Sequence, residues 1–577
     1  MTNADVARVF KEIGDMLEIQ GADGFRVNSY RRVSRTIGDL VSDINDIAQR
    51  GELGKLAGVG KTSAAKIEEL LKTGKLEFRE RLAGEVPESL LQLLRIQSMG
   101  PKKVALLWKE RGIESLSDLK QAIDGDRLDG LKGFGAKTVQ QIRAGIEFLE
   151  GNAGRTLLGV ALPVAESMAD SIRDMPGVQR VEIAGSLRRG RETVGDLDLL
   201  CIADDGQAVI ERFTGLSAVT RVLGAGKTKG SIICEHGGEQ IQIDLRVVRE
   251  QSFGAAWQYF TGSKEHNVRL RERAVKRGWS LNEYSLSDAK SEEVIASKSE
   301  EEIYAALDVP WIPPELREDR GELDLSETPE LLTLDDIRGD LHMHTTASDG
   351  KNSIGEMAAA AKKLGYKYIC ITDHSQGSVI ANGLKPDRLL AHIDAVRKVA
   401  GEMKGITVWV GAEVDILADG SLDYADELLA KLDWVVASVH MGMSQDVEAN
   451  TRRTLAAIRN PYVNLIAHPT GRLLNRREAM PIDIEAIAKE AARTGTALEI
   501  NAARERLDLK DQHARLARDL GAMICIDCDA HRVASFDQMR LGILTARRAG
   551  LRKADVLNTR SIEQISSFVQ SKRDGGE

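Results

Sequence analysis

Six of the ten histidines stand at or just past the end of an apolar run: His342 and His344 in RGDLHMHTTASDG, His374 in YICITDH, His440 in WVVASVH, His468 in VNLIAHP and His531 in CIDCDAH. Asp349, Glu413 (in VWVGAEVDI) and Asp529 lie among them. Neutral imidazole nitrogens and anionic carboxylate oxygens both suit Zn2+ or Mn2+, so this set implies a multinuclear metal site. One buried histidine is more often an ordinary core residue; six at repeated strand ends are not.

A second constellation lies mid-chain. GSLRRGRETVGDLDLL (185–200) puts Asp196 and Asp198 two apart on an expected strand, hence on one face. In EQIQIDLRVV, Ile241, Ile243, Leu245 and Val247 form the apolar face, which leaves Asp244 on the polar one. Three carboxylates converging from neighbouring strands can hold two Mg2+ ions about 3.5–4 Å apart for in-line phosphoryl transfer. Gly185 and Ser186 would offer backbone donors and a hydroxyl to phosphate, with Arg189 as a charged clamp.

The elements that must position these groups follow from periodicity. Beyond residue 334, seven apolar runs (DLHMH, KYICIT, TVWVGAE, WVVASVH, VNLIAH, ALEIN, MICIDCDA) alternate with helical stretches, which argues for parallel strands closed into a barrel. Nearly every expected ligand sits at the C-terminal end of a strand, where barrel active sites collect. Residues 155–250 read as strands of a mixed sheet, and 251–308 as helix and short strand with the basic stretch RLRERAVKRG. The Pro- and acid-rich segment 310–333 is the best linker candidate.

Residues 1–150 are expected to be helical, with three related segments at 53–71, 93–113 and 128–149. Each has an apolar lead-in, a tight turn, a lysine and an amphipathic helix. Gly58-Val59-Gly60 with Lys61 reads as a helix-hairpin-helix turn, whose backbone amides would meet a phosphate without regard to base sequence. Gly133-Phe134-Gly135 with Lys137 repeats it; Ser98-Met99-Gly100 with Lys102 and Lys103 has lost the first glycine.

Bulk properties set bounds without choosing a function. The 577 residues suit several domains, and 42% hydrophobic with 29% charged content describes globular material. No apolar run approaches a membrane helix and the start lacks a secretory signal, so a cytoplasmic location without membrane contact is expected. Net charge is −9, but residues 1–150 hold 24 basic and 23 acidic side chains (+1) and residues 311–577 hold 35 and 41 (−6), so charge alone does not announce a nucleic-acid partner. Cys525 and Cys528 have C-x-x-C spacing, yet on a strand they point to opposite faces and read as buried hydrophobes.

With these motifs in place, residues 1–317 resemble the family X DNA polymerases, of which DNA polymerase beta is the familiar member. GSLRRGRETVGDLDLL looks like the nucleotide- and metal-binding motif, QIDLR like the third-aspartate motif, and YFTGSKEHNVRLRERAVKRGWSLNEYSL (259–286) like the nucleotide- and template-binding subdomain. The resemblance implies Asp196, Asp198 and Asp244 as metal ligands, Asp244 also taking the primer 3'-hydroxyl proton. Gly185, Ser186, Arg189 and Gly195 would hold the triphosphate, and Tyr259, Phe260 and Gly262 would shape the sugar pocket. Asn267 would reach the incoming base and Arg271 the template. Lys264 stands where the beta enzyme has an aspartate, and Gln242 where it has an arginine beside the third aspartate.

Residues 335–577 resemble the PHP (polymerase and histidinol phosphatase) metallohydrolases. That likeness implies a trinuclear centre in a (β/α)7 barrel. One ion would take His342, His344, Glu413 and Asp529; Glu413 would bridge to a second with His440 and His468; Asp349, His374 and His531 would hold a third. Together the halves resemble the bacterial and archaeal family X polymerases that carry a C-terminal PHP domain, in which that domain is associated with Mn2+-dependent 3'-5' exonuclease and, in some members, cleavage at abasic sites.

The expected fold class is therefore multidomain α+β and α/β. Its parts would be a lyase-like helical domain (1–80), a helix-hairpin-helix subdomain (81–150), a nucleotidyltransferase palm (151–250), a nucleotide- and template-binding subdomain (251–317), a linker (318–334) and the barrel (335–577). Expected partners are gapped or primed double-stranded DNA and deoxynucleoside triphosphates, with Mg2+ or Mn2+ in the palm and two or three Mn2+ or Zn2+ ions in the barrel. A monomer is expected. The alternatives are a barrel that acts on small phosphoesters and one that is structural. Lys66 aligns with the Schiff-base lysine of the beta-type lyase and Tyr30 with a residue of its pocket, but Thr62, Phe78 and Arg26 replace lysines there, and a solvated helix lysine is the favoured reading.

Overall fold

The computed structural model describes every residue except Thr2, Asp39, Val41, Ser42, Ala57, Arg95, Gln97, Ser98, Asn152, Ala153, Gly576 and Glu577, and describes backbone alone at Ala4, Lys137, Ala144 and 147–151. Two compact units emerge. One is Met1–Ala153 with His236–Glu239 and Asn475–Arg477; the other comprises Gly154–Glu235, Gln240–Leu474 and Glu478–Glu577.

The first unit is helical, around a core that includes Phe10, Ile13, Leu17, Ile67, Leu107 and Ile142. Each repeated segment launches a helix: α1 (Lys61–Thr73), α2 (Pro101–Arg111) and α3 (Ala136–Gly151). Gly58 and Gly133 have φ of 78° and 88°, a left-handed conformation in which a Cβ would clash with the backbone. Gly60 and Gly100 then cap α1 and α2 in extended geometry. The corresponding first turn residue of the middle copy, Ser98, lies outside the described residues.

In the second unit, five strands form a mixed sheet: β1 (Val178–Ile183), β2 (Asp196–Ala203), β3 (Val219–Ala225), β4 (Lys229–His236) and β5 (Glu239–Val248), in the order β1-β2-β5-β4-β3. β2 and β5 run parallel and β1 is antiparallel to β2. Leu197, Leu199, Ile243 and Leu245 face the core, which throws the alternate acidic residues to the other face. Helices Phe253–Thr261, Lys264–Lys276 and Glu300–Ala306 follow, with a small three-stranded antiparallel sheet. Glu300, buried there, accepts from Arg188 Nη1 at 2.7 Å and Arg317 Nη1 at 2.6 Å.

Segment 318–334, expected as a linker, is not a free tether. Glu322 is buried and 2.7 Å from His266 Nδ1, Leu323, Leu331 and Leu332 are buried, and Glu318 is bonded as described below. Glu318, Asp319, Glu322 and Asp324 find cationic, histidine or backbone partners, so composition alone misdescribes this stretch.

The seven apolar runs become seven parallel strands: β6 (Gly339–Asp340), β7 (Tyr368–Ile371), β8 (Thr407–Asp415), β9 (Trp434–Ser438), β10 (Leu465–Ile466), β11 (Ala497–Asn501) and β12 (Ile524–Asp527), paired in chain order. A parallel bridge between Met343 and Ala530 joins the last to the first just beyond the strand ends. Burial on both faces explains the unbroken apolar runs such as Trp434–Ser438. Cys525 and Cys528 are buried there, and burial raises both thiols well above their ordinary range, as a core role requires.

Candidate metal centres

In the mixed sheet, Asp198 and Asp244 are register partners on the parallel strands β2 and β5, and Asp196 pairs with Gln242 one pleat away. Burial, then the charges of Asp196 and Asp244, pushes the Asp198 carboxyl up to about 7. Burial would raise Asp244 as well, but Lys229 Nζ at 2.8 Å, Gln242 Nε2 at 3.0 Å and Ser231 hold it below its ordinary value. Such mutual repulsion is what a divalent cation relieves, so the donor set fits one.

The backbone is shaped to the same point. Gly185 has φ +64°, and a Cβ there would collide with the Asp198 carboxylate. Ser186 is half-buried beside it. Arg189 donates from Nε to Glu318 at 3.1 Å and from Nη1 to Thr261 O at 2.5 Å, and Gly262 lies against it: a Cβ there would stand 3.1 Å from Nη1. Tyr259 and Phe260 meet edge to face at 5.1 Å, with the Arg246 guanidinium 4.3 Å over Phe260. Asn267 is buried, donating to Tyr259 O and accepting from Gln258 Nε2, both at 2.7 Å. Arg271 and Gly195 are exposed.

At the C-terminal face of the barrel the nine expected ligands come together. Three groups have ligand atoms all within 4.8 Å of one another: His344, Asp349, His374 and His531; His342, His344 and Asp529; and His374, Glu413 and His440. His468 Nε2 lies 3.0 Å from Glu413 Oε1. The expected partition differs in detail, since His344 belongs to two groups and His374 joins Glu413 and His440.

The fit to cations rests on what these atoms lack. Glu413 Oε2 is buried with His342 Nε2 and His344 Nε2 each 3.5 Å away and His374 Nδ1 at 2.9 Å. Glu413 Oε2, His342 Nε2 and His374 Nδ1 nonetheless have no hydrogen-bond partner of sound geometry among the described residues. Burial pushes His344 and His468 down to about 4 and about 3, so both rings are neutral donors. Burial works against the charged form of Glu413, yet the surrounding imidazoles keep its carboxyl well below the usual range. Asp529 and His468 take positive φ values of 49° and 29°, strain of the kind that functional sites retain.

Several groups that hold these ligands were not singled out from the sequence. His342 Nδ1 meets Glu499 Oε1, and His440 Nδ1 meets Asp415 Oδ1, each at 2.6 Å. Carboxylates on the far nitrogen of metal-ligating imidazoles fix their tautomer and orientation. Asp415 stands two residues after Glu413 on β8, so strand periodicity could have found it; Glu499 carries no comparable mark.

In the helical unit, Lys66 of α1 is half-buried. Its ammonium contacts the Tyr30 hydroxyl and sits 3.7 Å from the Phe78 ring centroid. Burial, then the charges of Arg26 and Arg81, lowers its pKa. Lys61 and Lys102 are exposed at the starts of α1 and α2, while Lys103 reaches toward the Phe134 ring at 5.9 Å; Lys137 is described by its backbone alone.

Comparison with known proteins accords with these features. Residues 1–76 match a helix-hairpin-helix domain, 90–147 a SAM-like helix-hairpin-helix tandem, 256–318 the DNA polymerase beta thumb, and 340–503 the PHP domain. The DNA polymerase/3'-5' exonuclease PolX of Bacillus subtilis is 37% identical over 571 residues, covering 99% of this chain and 100% of that protein. The chain belongs to the PolX family. Family X polymerases of this kind carry a C-terminal PHP domain, here the seven-stranded barrel. That domain by itself is similar to shorter proteins: a probable phosphatase of Thermoanaerobacter sp. is 32% identical over 253 residues, 41% of this chain and 97% of that protein. One from Syntrophotalea carbinolica is 30% identical over 240 residues. No helix among the described residues is long and apolar enough to cross a membrane.

Proposed function

We propose that this chain fills short gaps in DNA at the palm carboxylates and trims 3' ends at the separate barrel centre. The pairing of Asp198 with Asp244 in register, with Asp196 on the same face, carries the polymerase reading. Divalent cations, Mg2+ or Mn2+ in the palm and Mn2+ or Zn2+ in the barrel, would supply charge neutralisation and activation of the attacking oxygen.

The chain's own residues would do the rest. Asp196, Asp198 and Asp244 hold the palm cations, and Asp244 takes the primer 3'-hydroxyl proton. Ser186 and Arg189 bind the triphosphate, with Gly185 and Gly195 letting the backbone approach. Tyr259, Phe260 and Gly262 seat the sugar, Asn267 the base and Arg271 the template. The turns at Gly58–Lys61, Gly100–Lys102 and Gly133–Lys137 grip duplex phosphates through backbone amides and lysines. In the barrel, His342, His344, Asp349, His374, Glu413, His440, His468, Asp529 and His531 hold the cations, with Glu499 and Asp415 orienting two of the rings. Helices that grip duplex DNA, fused to this barrel, favour a DNA phosphodiester over a small phosphoester. The same centre suits cleavage at abasic sites.

The polypeptide divides, on this reading, into 1–80, 81–150, 151–250, 251–317, 318–334 and the barrel 335–577, and works as a cytoplasmic monomer. A second activity is favoured by the placement of Lys66: half-buried between Tyr30 and Phe78 and beside two arginines, its amine is primed for Schiff-base chemistry. A 5'-labelled primer bordering a one-nucleotide gap, followed over time with Mn2+, tests both main activities: extension with deoxynucleotides and shortening without them.

A further inference from the structure

The loop that would hold the triphosphate, residues 185–192, is gripped by the barrel at two points. Arg548, the last residue of α4 (Met539–Arg548), donates from Nη1 to Arg189 O at 2.7 Å and to Glu318 Oε1 at 2.9 Å, and from Nη2 to Asp511 at 2.9 Å. Glu318 in turn accepts from Arg189 Nε at 3.1 Å and lies 3.6 Å from Arg191 Nη1. With Nη1 given to Thr261 O, Arg189 keeps Nη2 without a partner among the described residues. At the other end of the loop, Arg472 pairs bidentately with Glu192 at 3.2 and 2.7 Å.

Apolar packing closes around these pairs. Gly190 has φ +64°, and a Cβ there would stand 3.3 Å from Leu544 Cβ and 3.6 Å from Arg548 Cδ. Leu541 of α4 and Leu507 are buried in the palm's own core cluster. The Arg548 and Glu318 side chains are only 4% and 11% exposed, so that pair is shielded from water and salt, whereas the buried Arg472 meets a Glu192 that is 37% exposed.

We infer that Arg548 and Arg472 of the barrel are positioning residues for nucleotide incorporation, holding the triphosphate loop and the Arg189 guanidinium through Glu318 and Glu192. The inference rests on the polymerase reading of the palm. A guanidinium already fixed at two nitrogens surrenders little further freedom when the third meets a phosphate, and that preorganisation appears as nucleotide affinity. Without Arg548, Glu318 has lost its shielded counter-charge and draws harder on Arg189, in competition with the triphosphate. None of the nine expected metal ligands lies in this path. Synthesis therefore depends on the barrel as a scaffold, apart from the chemistry at its metal centre.

The test is steady-state gap filling by the full-length protein, titrating the deoxynucleotide, for the wild type, Arg548→Gln, Arg548→Lys and Arg472→Gln, with 3'-end trimming by the same preparations as the check on barrel folding. Arg548→Gln is expected to raise KM for the nucleotide about tenfold with kcat within about twofold, because a charge-assisted anchor of the bound loop is lost and not a reacting group. Arg548→Lys recovers part of the loss, and Arg472→Gln raises KM in the same sense. A wild-type KM in both glutamine variants overturns the inference. Should Arg548→Gln also lose trimming, the half-exposed Glu192→Gln decides: a raised KM supports the inference and a wild-type KM overturns it. No extension by the wild-type protein would instead overturn the polymerase reading, and that result is read before any substitution is made.

Discussion

Asp198 and Asp244 face each other as register partners on adjacent parallel strands, with the backbone of Gly185 pressed against the Asp198 carboxylate. Two buried like charges so placed oppose each other until a cation joins them. Asp198→Asn is therefore expected to abolish extension and yet to stabilise the metal-free protein by about 1 kcal/mol, a rise of roughly 2–4 °C in Tm for a domain of this size. Thermal unfolding in chelator, beside a gap-filling assay, reads both. A lower Tm for the variant would mean the carboxylate is a structural acceptor.

The barrel centre should behave the opposite way on loading. Its imidazoles and carboxylates converge with several buried atoms left unpartnered, so a cation that binds only the folded state adds stability by mass action, about 2.7 kcal/mol at one hundred times its dissociation constant. Chelation is expected to lower the barrel's unfolding temperature and Mn2+ to restore it. His342→Ala with Asp529→Ala should remove most of that response. An unchanged transition with and without Mn2+ would count against a built metal site.

How far this was legible beforehand depends on the kind of interaction. Strand alternation in EQIQIDLRVV placed Asp244, and strand-end histidines placed the barrel ligands, because both follow from periods of two and from the shared end of a parallel barrel. Strand β3 carries no such mark, since its residues are almost all exposed and show no apolar alternation. Arg472 and Glu192, 280 positions apart, meet only through the packing of the barrel against the loop of the mixed sheet, and nothing local in either segment predicts the pair. The contacts of the half-buried Lys66 with Phe78 and Tyr30 are hidden for a similar reason, since they arise from the packing of separate helices.

Lys66 offers a covalent test. Burial, Arg26 and Arg81 all disfavour its charged form, so more of the amine is neutral near pH 8 than for an ordinary lysine. Borohydride trapping to a 5'-deoxyribose phosphate end is expected, rising with pH and levelling off below the usual lysine pKa, and lost in Lys66→Ala. Equal trapping by Lys66→Ala would assign the adduct elsewhere.

Lys572 gives a pH dependence of stability. Burial pushes its ammonium down to about 7; it donates to Ile458 O at 2.9 Å and contacts Val463 O and Thr496 Oγ1. With a folded pKa below the unfolded one, the unfolded chain binds more protons between about pH 7 and 10, so stability rises with pH across that window and the full penalty stands below it. The slope is at most about 1.4 kcal/mol per pH unit, and Lys572→Met should flatten it. Urea unfolding of both proteins across the window shows whether the wild type gains stability relative to the variant as pH rises.

The most direct measurement is a denaturing-gel time course on a 5'-labelled primer beside a one-nucleotide gap, with Mn2+, comparing the wild type, Asp198→Ala and His440→Ala/His468→Ala. Two separate centres predict that Asp198→Ala loses extension and keeps shortening, while the histidine double variant keeps extension and loses shortening. Loss of both activities in soluble, folded Asp198→Ala protein would contradict them.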